Sequence, residues 1–221
     1  MFSNPTKLPA GLIHSFRTLG RERTVSPGVV LIHAGDVSSD VFFLESGRVR
    51  FTLLSAAGRQ PILSEVGPGS LFGELAAIDG EPRAAIACAQ RKSQLWILSR
   101  EKFMSLLKDD WDNALWVMTH LSALLRYTTQ RNFQLATMPV SARLACELLS
   151  LVTTGPDETS KPVILTLPTH SEIAARIGTH REAITRELGK LNQAGIIDKN
   201  NRSLTILDMD RLQAHIEETQ R

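Results

Sequence analysis

Between Asp110 and Thr137 the chain contains neither proline nor glycine, and Pro139 follows almost at once. An unbroken stretch of this kind predicts one helix of roughly 27 residues, about 40 Å long at 1.5 Å per residue. Met118, Leu121, Leu125, Thr128, Asn132 and Leu135 recur along it at alternating spacings of three and four. That is a heptad-like seam, polar at Thr128 and Asn132. Such a helix packs along its own domain, or forms a two-stranded dimer seam in which the polar residues set register. Its length favours the dimer, because a small β-domain cannot cover so long a helix. Pro139 lacks an N–H and disfavours helix at the residue before it, so it ends the helix and marks a domain boundary.

Upstream the texture is different. Val29–His33, Val41–Glu45, Val49–Leu54, Ile62–Val66, Ala84–Ala89 and Gln94–Leu98 are rich in Val, Ile, Phe and Leu. Glycine-bearing breaks at Gly35-Asp36, Ser46-Gly47, Ala57-Gly58 and Gly67-Pro68-Gly69 separate them. Short strands at near-regular spacing predict an antiparallel sandwich or barrel, between which pattern alone does not choose. Glu101–Leu107 is expected to be a short helix, Ser141–Leu151 another, and Thr153–Lys161 a polar loop.

Composition excludes several classes. Of 221 residues, 43% are hydrophobic and 22% charged, which rules out a disordered or collagen-like chain. No apolar run approaches the ~18 residues of a membrane span. His14, Ser15 and Arg17 interrupt the first twenty residues and make a poor signal peptide. Cys88 and Cys146 lie far apart with no CxxC, against both a disulfide scaffold and a zinc site. A soluble, cytoplasmic protein is the expectation. The net charge of +2 does not announce a nucleic-acid binder. Within residues 170–202 there are six Lys and Arg against four Asp and Glu, an excess that matters only if the fold gathers the cations on one face.

Residues 168–195 supply that geometry. Thr169…Glu172 and Thr179…Glu182 each have the spacing of a capping box. The first helix would bury Ile173, Ala174 and Ile177, Gly178 would make the turn, and the second helix would bury Ile184, Leu188 and Leu191 before Gly195 ends it. This is a helix-turn-helix pattern. Arg181, Glu182, Thr185 and Arg186 fall on the opposite face of the second helix, in the N-terminal half that meets base edges. Arg can bond guanine O6 and N7, and Glu can accept from the cytosine amino group. Asp198–Ser203 reads as a turn between Ile196-Ile197 and Leu204–Leu207, so the hairpin is a wing.

Leu71–Ala89 reads LFGELAAIDGEPRAAIACA. Gly73 permits close backbone approach, Glu74 can hold sugar hydroxyls, and Arg83, nine residues on, can grip a phosphate with its planar fork. A nucleotide-sized site is one reading; a buried Glu74–Arg83 ion pair closing a turn is the other. No GxxxxGK[ST] is present, which excludes P-loop chemistry. No nucleophile–base arrangement or cluster of metal ligands stands out, so an enzyme is not expected.

Phe72-Gly73-Glu74-Leu75-Ala76 through Pro82-Arg83-Ala84-Ala85 resembles the phosphate-binding cassette of cyclic-nucleotide-binding domains. With the long helix and the helix-turn-helix, nearly the whole chain resembles the CRP/FNR family of bacterial transcription regulators. The resemblance implies an α+β fold: an antiparallel β jelly-roll sensor over 1–109, a dimerisation helix over 110–138 and a winged helix-turn-helix over 139–221. It implies that Glu74 holds the ribose 2′-hydroxyl and Arg83 the cyclic phosphate, helped by the backbone around Gly73, Glu74, Leu75 and Ala84. Ala84 stands where bacterial members carry a phosphate-contacting serine, although kinase-type cassettes with Arg-Ala-Ala also bind. Thr128 and Thr129 correspond to a Thr-Ser pair that touches the purine, leaving cAMP and cGMP both open. No cysteine precedes Cys88, so the family's N-terminal iron–sulfur type is not expected. His14, His33 and His120 are scattered and do not mark a haem. Arg181, Glu182 and Arg186 occupy the positions that read a TGTGA-type half-site. Ser141, Thr179, His180 and Asn200 are candidate phosphate contacts. The expected partners are double-stranded DNA, a cyclic nucleotide, a second copy of the chain and RNA polymerase, with no membrane. The alternative is a regulator of the same fold that is ligand-independent or senses another metabolite.

Overall fold

The structure is a computed structural model describing residues 8–54, 60–152, 162–200 and 203–217. The Ala57-Gly58 break, the Thr153–Lys161 loop and the wing-turn residues Asn201 and Arg202 lie outside the described residues. The chain divides into two compact units, Phe2–Tyr127 and Thr128–Arg221, with the division inside the long helix.

The N-terminal unit runs α1 (Ala10–Leu19), β1 (Arg21–Val25), β2 (Val30–Ile32), β3 (Val41–Ser46), β4 (Val49–Thr52), β5 (Ile62–Val66), β6 (Ser70–Phe72), α2 (Glu74–Asp79), β7 (Ile86–Ala89), β8 (Ser93–Leu98), α3 (Arg100–Asp109) and the start of α4 (Trp111–Thr137). All strand pairs are antiparallel. The two four-stranded sheets have the orders β1-β8-β3-β6 and β2-β7-β4-β5. This is a jelly-roll sandwich.

The sheet containing β3 is covered on both faces. Phe42, Leu44, Leu95 and Ile97 pack between the sheets with Val49, Val66, Phe72 and Ala87. Val41, Phe43, Leu71 and Leu98 point the other way, onto Leu12 and Phe16 of α1, Ala77 of α2, Phe103 of α3, and Trp116 and Val117 of α4. Double coverage explains why β3 reads as a continuous apolar run rather than an alternation. At the edge, β1 buries only Val25 of Arg21–Val25, and its polar residues hid it from sequence reading. His33 lies just beyond β2 and is exposed. It sits in the turn, not on the strand as expected.

α4 divides its residues between two surroundings. Asn113, Trp116, Val117 and His120 are buried against its own sandwich, and Leu121 of the expected seam packs there too. Met118, Leu125 and Leu135 of the same seam are exposed, as are Leu115 and Phe133.

The C-terminal unit continues with the end of α4, α5 (Val140–Leu151), β9 (Val163–Ile164), α6 (His170–Ile177), α7 (Arg181–Gln193), β10 (Ile197–Asn200), β11 (Ser203–Ile206) and α8 (Met209–Glu217). Leu144 and Leu148, Ile173 and Ile177, Ile184, Leu188 and Leu191, Ile197, Leu204 and Leu212 form one core. The strands make a three-stranded sheet in the order β10-β11-β9. The wing hairpin pairs from Ile197↔Ile206 to Asn200↔Ser203.

Gly178 ends α6 at φ 67°, and a Cβ there would meet Leu135 Cδ2 at 2.8 Å. Arg131 on α4 donates to the Arg176 carbonyl at the same helix end. Gly195 ends α7 at φ 68°. The Ile196 N–H bonds the Leu191 carbonyl and the Gly195 N–H that of Asn192, a Schellman closure.

One of the two expected capping boxes forms. The Thr169 hydroxyl accepts from the Glu172 amide while the Glu172 carboxylate accepts from the Thr169 amide. The second does not. α7 begins at Arg181 with His180 as its N-cap, so Thr179 stands one residue too early, and no side chain caps that end. Thr169→Ala should cost about 1 kcal/mol and speed exchange of the Glu172 and Ile173 amides roughly fivefold. Thr179→Ala should leave α7 exchange nearly unchanged. Amide hydrogen exchange by NMR checks both.

Candidate functional site

The Gly73–Ala85 segment is shaped by glycines at both ends of α2. Gly73 precedes it at φ 83° and Gly80 follows at φ 78°, conformations that L side chains rarely adopt. A Cβ on Gly73 would approach Arg83 Nη1 and the Asp40 carbonyl at 3.0 Å and Phe42 Cδ2 at 3.1 Å. Only glycine lets this backbone lie against the arginine.

Arg83 is held from several directions. Its N–H bonds the Asp36 carbonyl and its carbonyl takes the Gly35 N–H, both at 2.8 Å. Its guanidinium donates through Nε to Ser38 Oγ at 3.0 Å, through Nη1 to the Gly73 carbonyl at 2.8 Å and through Nη2 to the Asp40 carbonyl at 2.7 Å. It lies 5.9 Å from the Phe42 ring centroid and is only 5% exposed. Burial lowers its pKa, while Asp40, Glu74 and Asp36 raise it. All three hydrogen bonds go to neutral oxygens. Of the guanidinium's five N–H donors, one on each terminal nitrogen remains for a further acceptor.

Glu74 is buried at 4% exposure. Burial pushes its carboxyl up to about 7, against the opposing pull of its own amide and of Arg83. The Glu74–Arg83 ion pair that the sequence allowed does not form; the carboxylate instead faces His120 of α4, with Nε2 3.8 Å from Oε1. The His120 ring stacks on Trp116, centroids 5.2 Å apart and planes within 5°. Burial lowers its pKa. Sequence reading passed over His120 as one of three scattered histidines. Its signal was the 113, 116, 117, 120 periodicity, which puts it on the buried face of α4. Leu75 and Ala84 are exposed beside this group, and Thr128 and Thr129 are exposed on the part of α4 that belongs to the C-terminal unit.

In that unit Arg181, Glu182, Thr185 and Arg186 all lie exposed on α7, while Ala183, Ile184, Leu188 and Leu191 are buried behind them. Arg186 contacts Glu187 at 3.5 Å and its side chain stays two-thirds exposed (66%). His180 and Asn200 are exposed; Thr179 and Ser141 are half-buried. A residue the sequence did not single out, His170 at the start of α6, bonds both Thr185 and Lys199. Among the described residues, no group of three or more His, Cys, Asp or Glu is placed to hold a metal ion, and no helix is long and apolar enough to cross a membrane.

Residues 22–110 match the cyclic nucleotide-binding domain, and residues 142–215 match the Crp-like helix-turn-helix domain. The cyclic AMP receptor protein of Thermus thermophilus is 30% identical over 182 residues, 80% of this chain and 79% of that protein. The chain belongs to the CRP/FNR family of transcription regulators. Members of this family are DNA-binding regulators and not enzymes. A solved CRP/FNR regulator, also from Thermus thermophilus, aligns with TM-score 0.69 at 28% identity, covering 90% of this chain and 100% of that one. The fold is also that of CLP from Xanthomonas campestris, described as a c-di-GMP-responsive global regulator, with TM-score 0.77 at 24% identity over 90% of this chain and 99% of that one.

The raised Glu74 value carries a stability consequence. The folded chain holds this proton more tightly than the unfolded chain, where the carboxyl titrates near 4.5. The associated stability, on the order of 3 kcal/mol, is fully present below about pH 4.5 and is lost as pH rises through about 7. His120 runs oppositely: its contribution is present above about pH 6.5 and is lost as pH falls through its lowered folded value. Glu74→Gln removes only the first contribution. Urea denaturation should therefore find the variant gaining on the native chain between about pH 5 and 8.

Proposed function

We propose that the chain is a homodimeric, cytoplasmic regulator whose sequence-specific DNA binding is controlled by a cyclic nucleotide, cAMP or cGMP. The observation that carries this reading is Arg83: a buried guanidinium, bonded to three neutral oxygens, with N–H groups left for an anion. A cyclic phosphate supplies a directly bonded negative charge and accepts in the bidentate manner that suits arginine. Glu74 takes the ribose hydroxyl, with Gly73, Leu75 and Ala84 lining the approach. Family resemblance assigns the purine to Thr128 and Thr129. Cyclic AMP is favoured by the name of the Thermus relative.

Arg181, Glu182 and Arg186 read a TGTGA-type half-site from the exposed face of α7, with Thr185 beside them. Ser141, Thr179, His180 and Asn200 meet phosphates. The three-part organisation follows: sensor over 1–109, dimer helix over 110–138, reader over 139–221. Met118, Leu125 and Leu135 form the apolar face that a second copy would cover, and RNA polymerase is the further partner. The nucleotide acts by differential affinity for two states of the dimer, with Pro139 as the joint between helix and reader.

Fluorescence anisotropy of a labelled TGTGA-type palindrome, at fixed salt, tests this without nucleotide, with cAMP and with cGMP. One nucleotide should tighten binding, with no such effect on a scrambled duplex. Specific binding that ignores both nucleotides would discard the switch and keep the reader. Arg83→Ala should abolish the nucleotide response yet leave weak, salt-sensitive binding; a full response in that variant discards the phosphate assignment. Leu125→Arg should convert the dimer to monomer in sedimentation velocity, because it buries a charge in the proposed seam.

A further inference from the structure

His170 stands at the start of α6 between two groups that face the DNA side of the reader. Lys199 Nζ, on wing strand β10, lies 2.9 Å from His170 Nε2, and Thr185 Oγ1, on α7, lies 2.7 Å from His170 Nδ1. The chemistry of the partners determines the ring. An ammonium only donates, so Nε2 must carry the lone pair. The ring proton then sits on Nδ1 and is donated to Thr185, whose hydroxyl donates onward to the Arg181 carbonyl at 3.1 Å. A single relay therefore runs from wing to small helix to reading helix, and it exists only with a neutral imidazole. Protonation would give Nε2 a hydrogen, remove the acceptor for Lys199 and put a third cation beside Lys199 and Arg181.

We infer that His170 is a positioning residue of the DNA reader, clasping the wing to the recognition helix as a neutral Nδ1–H imidazole and releasing the wing when it is protonated. This rests on the assignment of α7 as the reading helix. The clasp sets Thr185 and Lys199 before DNA arrives, so part of the ordering cost of binding is met in the free protein. The charged groups facing the ring are Lys199 from β10 and Arg181 from α7. With burial first, they lower its pKa. The sign follows: the clasp is fully formed above the ordinary histidine value of 6.5 and is lost as pH falls below it.

The test begins on the full chain without DNA or nucleotide. ¹⁵N NMR of the histidines at about pH 7.5 should find His170 protonated at Nδ1 and bare at Nε2, the minor tautomer of a free imidazole. Lys199→Met should return it to the common tautomer and raise its pKa. An Nε2–H ring in the native chain overturns the inference. The second arm measures the ratio of affinities for the palindrome and a scrambled duplex with cAMP, so that general phosphate attraction cancels. As pH falls from about 7.5 to well below 6.5, the native ratio should fall, the loss reaching roughly three- to tenfold once the ring is protonated, the worth of a lost hydrogen bond. His170→Gln accepts through Oε1 and donates through Nε2 without titrating, and should hold the ratio level. His170→Ala should be low at both pH values. A native ratio independent of pH, or an alanine variant equal to native, overturns the inference. If the native chain fails to discriminate the duplexes at any pH, the reading-helix assignment falls and takes this inference with it. The NMR arm keeps that failure distinct, because it needs no DNA.

Discussion

Burying a guanidinium without a carboxylate in contact is the constraint around which the sensor is organised. The cost of removing such a charge from water is large unless its N–H groups are satisfied. Satisfaction comes from backbone rather than from acids: the carbonyls of Gly73 and Asp40 and the hydroxyl of Ser38. Those acceptors sit on two separate turns. The turns must therefore be rigid, which accounts for the left-handed Gly73 and Gly35 and for the paired bonds between the Arg83 backbone and residues 35–36. Because the acceptors are neutral, the positive charge remains available while its geometry is already set. Glu74 completes the arrangement from the opposite side of chemistry: an acid whose charge is suppressed by burial, near a guanidinium that Asp40, Glu74 and Asp36 favour only through space, with no carboxylate bonded to it.

The reader is held together differently. Its helices are short, eight and thirteen residues, too short to persist alone in water. Termini dominate their stability. One N-terminus has a full capping box, both C-termini close on left-handed glycines, and Arg131 adds a donor at the carbonyl end of α6. The N-terminus of α7 is the exception, with no side chain bonded to its amides as a cap. That end carries Arg181 and Glu182, and its first amides have no intrahelical acceptor.

Much of this was legible in the sequence because it rests on periodicity and on glycine. The doubly covered strands announced themselves as apolar runs, and Ile173, Ile177, Ile184, Leu188 and Leu191 marked two helix faces. What escaped was written in polar residues. β1 is an edge strand of Arg, Glu, Arg and Thr, with one buried valine. The capping-box spacing at Thr179…Glu182 named a possible register, but His180 took the N-cap and the register shifted by one. His120 and His170 acquire meaning only through partners 46 and 29 positions away, Glu74 and Lys199, and no local pattern encodes such a meeting.

The shared core of α1, β3, α3 and α4 bears on biosynthesis. Phe16 near the start of the chain and Phe103, Trp116 and Val117 near the end of the sensor bury the same face of the same sheet. A nascent chain that has made all eight strands has α1 and α2 on this face but still lacks α3 and α4, the rest of its cover. The sensor therefore completes only after Val117 has left the ribosome, and the first half of the long helix is part of that folding event rather than a linker made afterwards. A ribosome that stalls before this point leaves the face of Val41, Phe43 and Leu98 without Phe103, Trp116 and Val117, a partly covered apolar surface of the kind that chaperones bind.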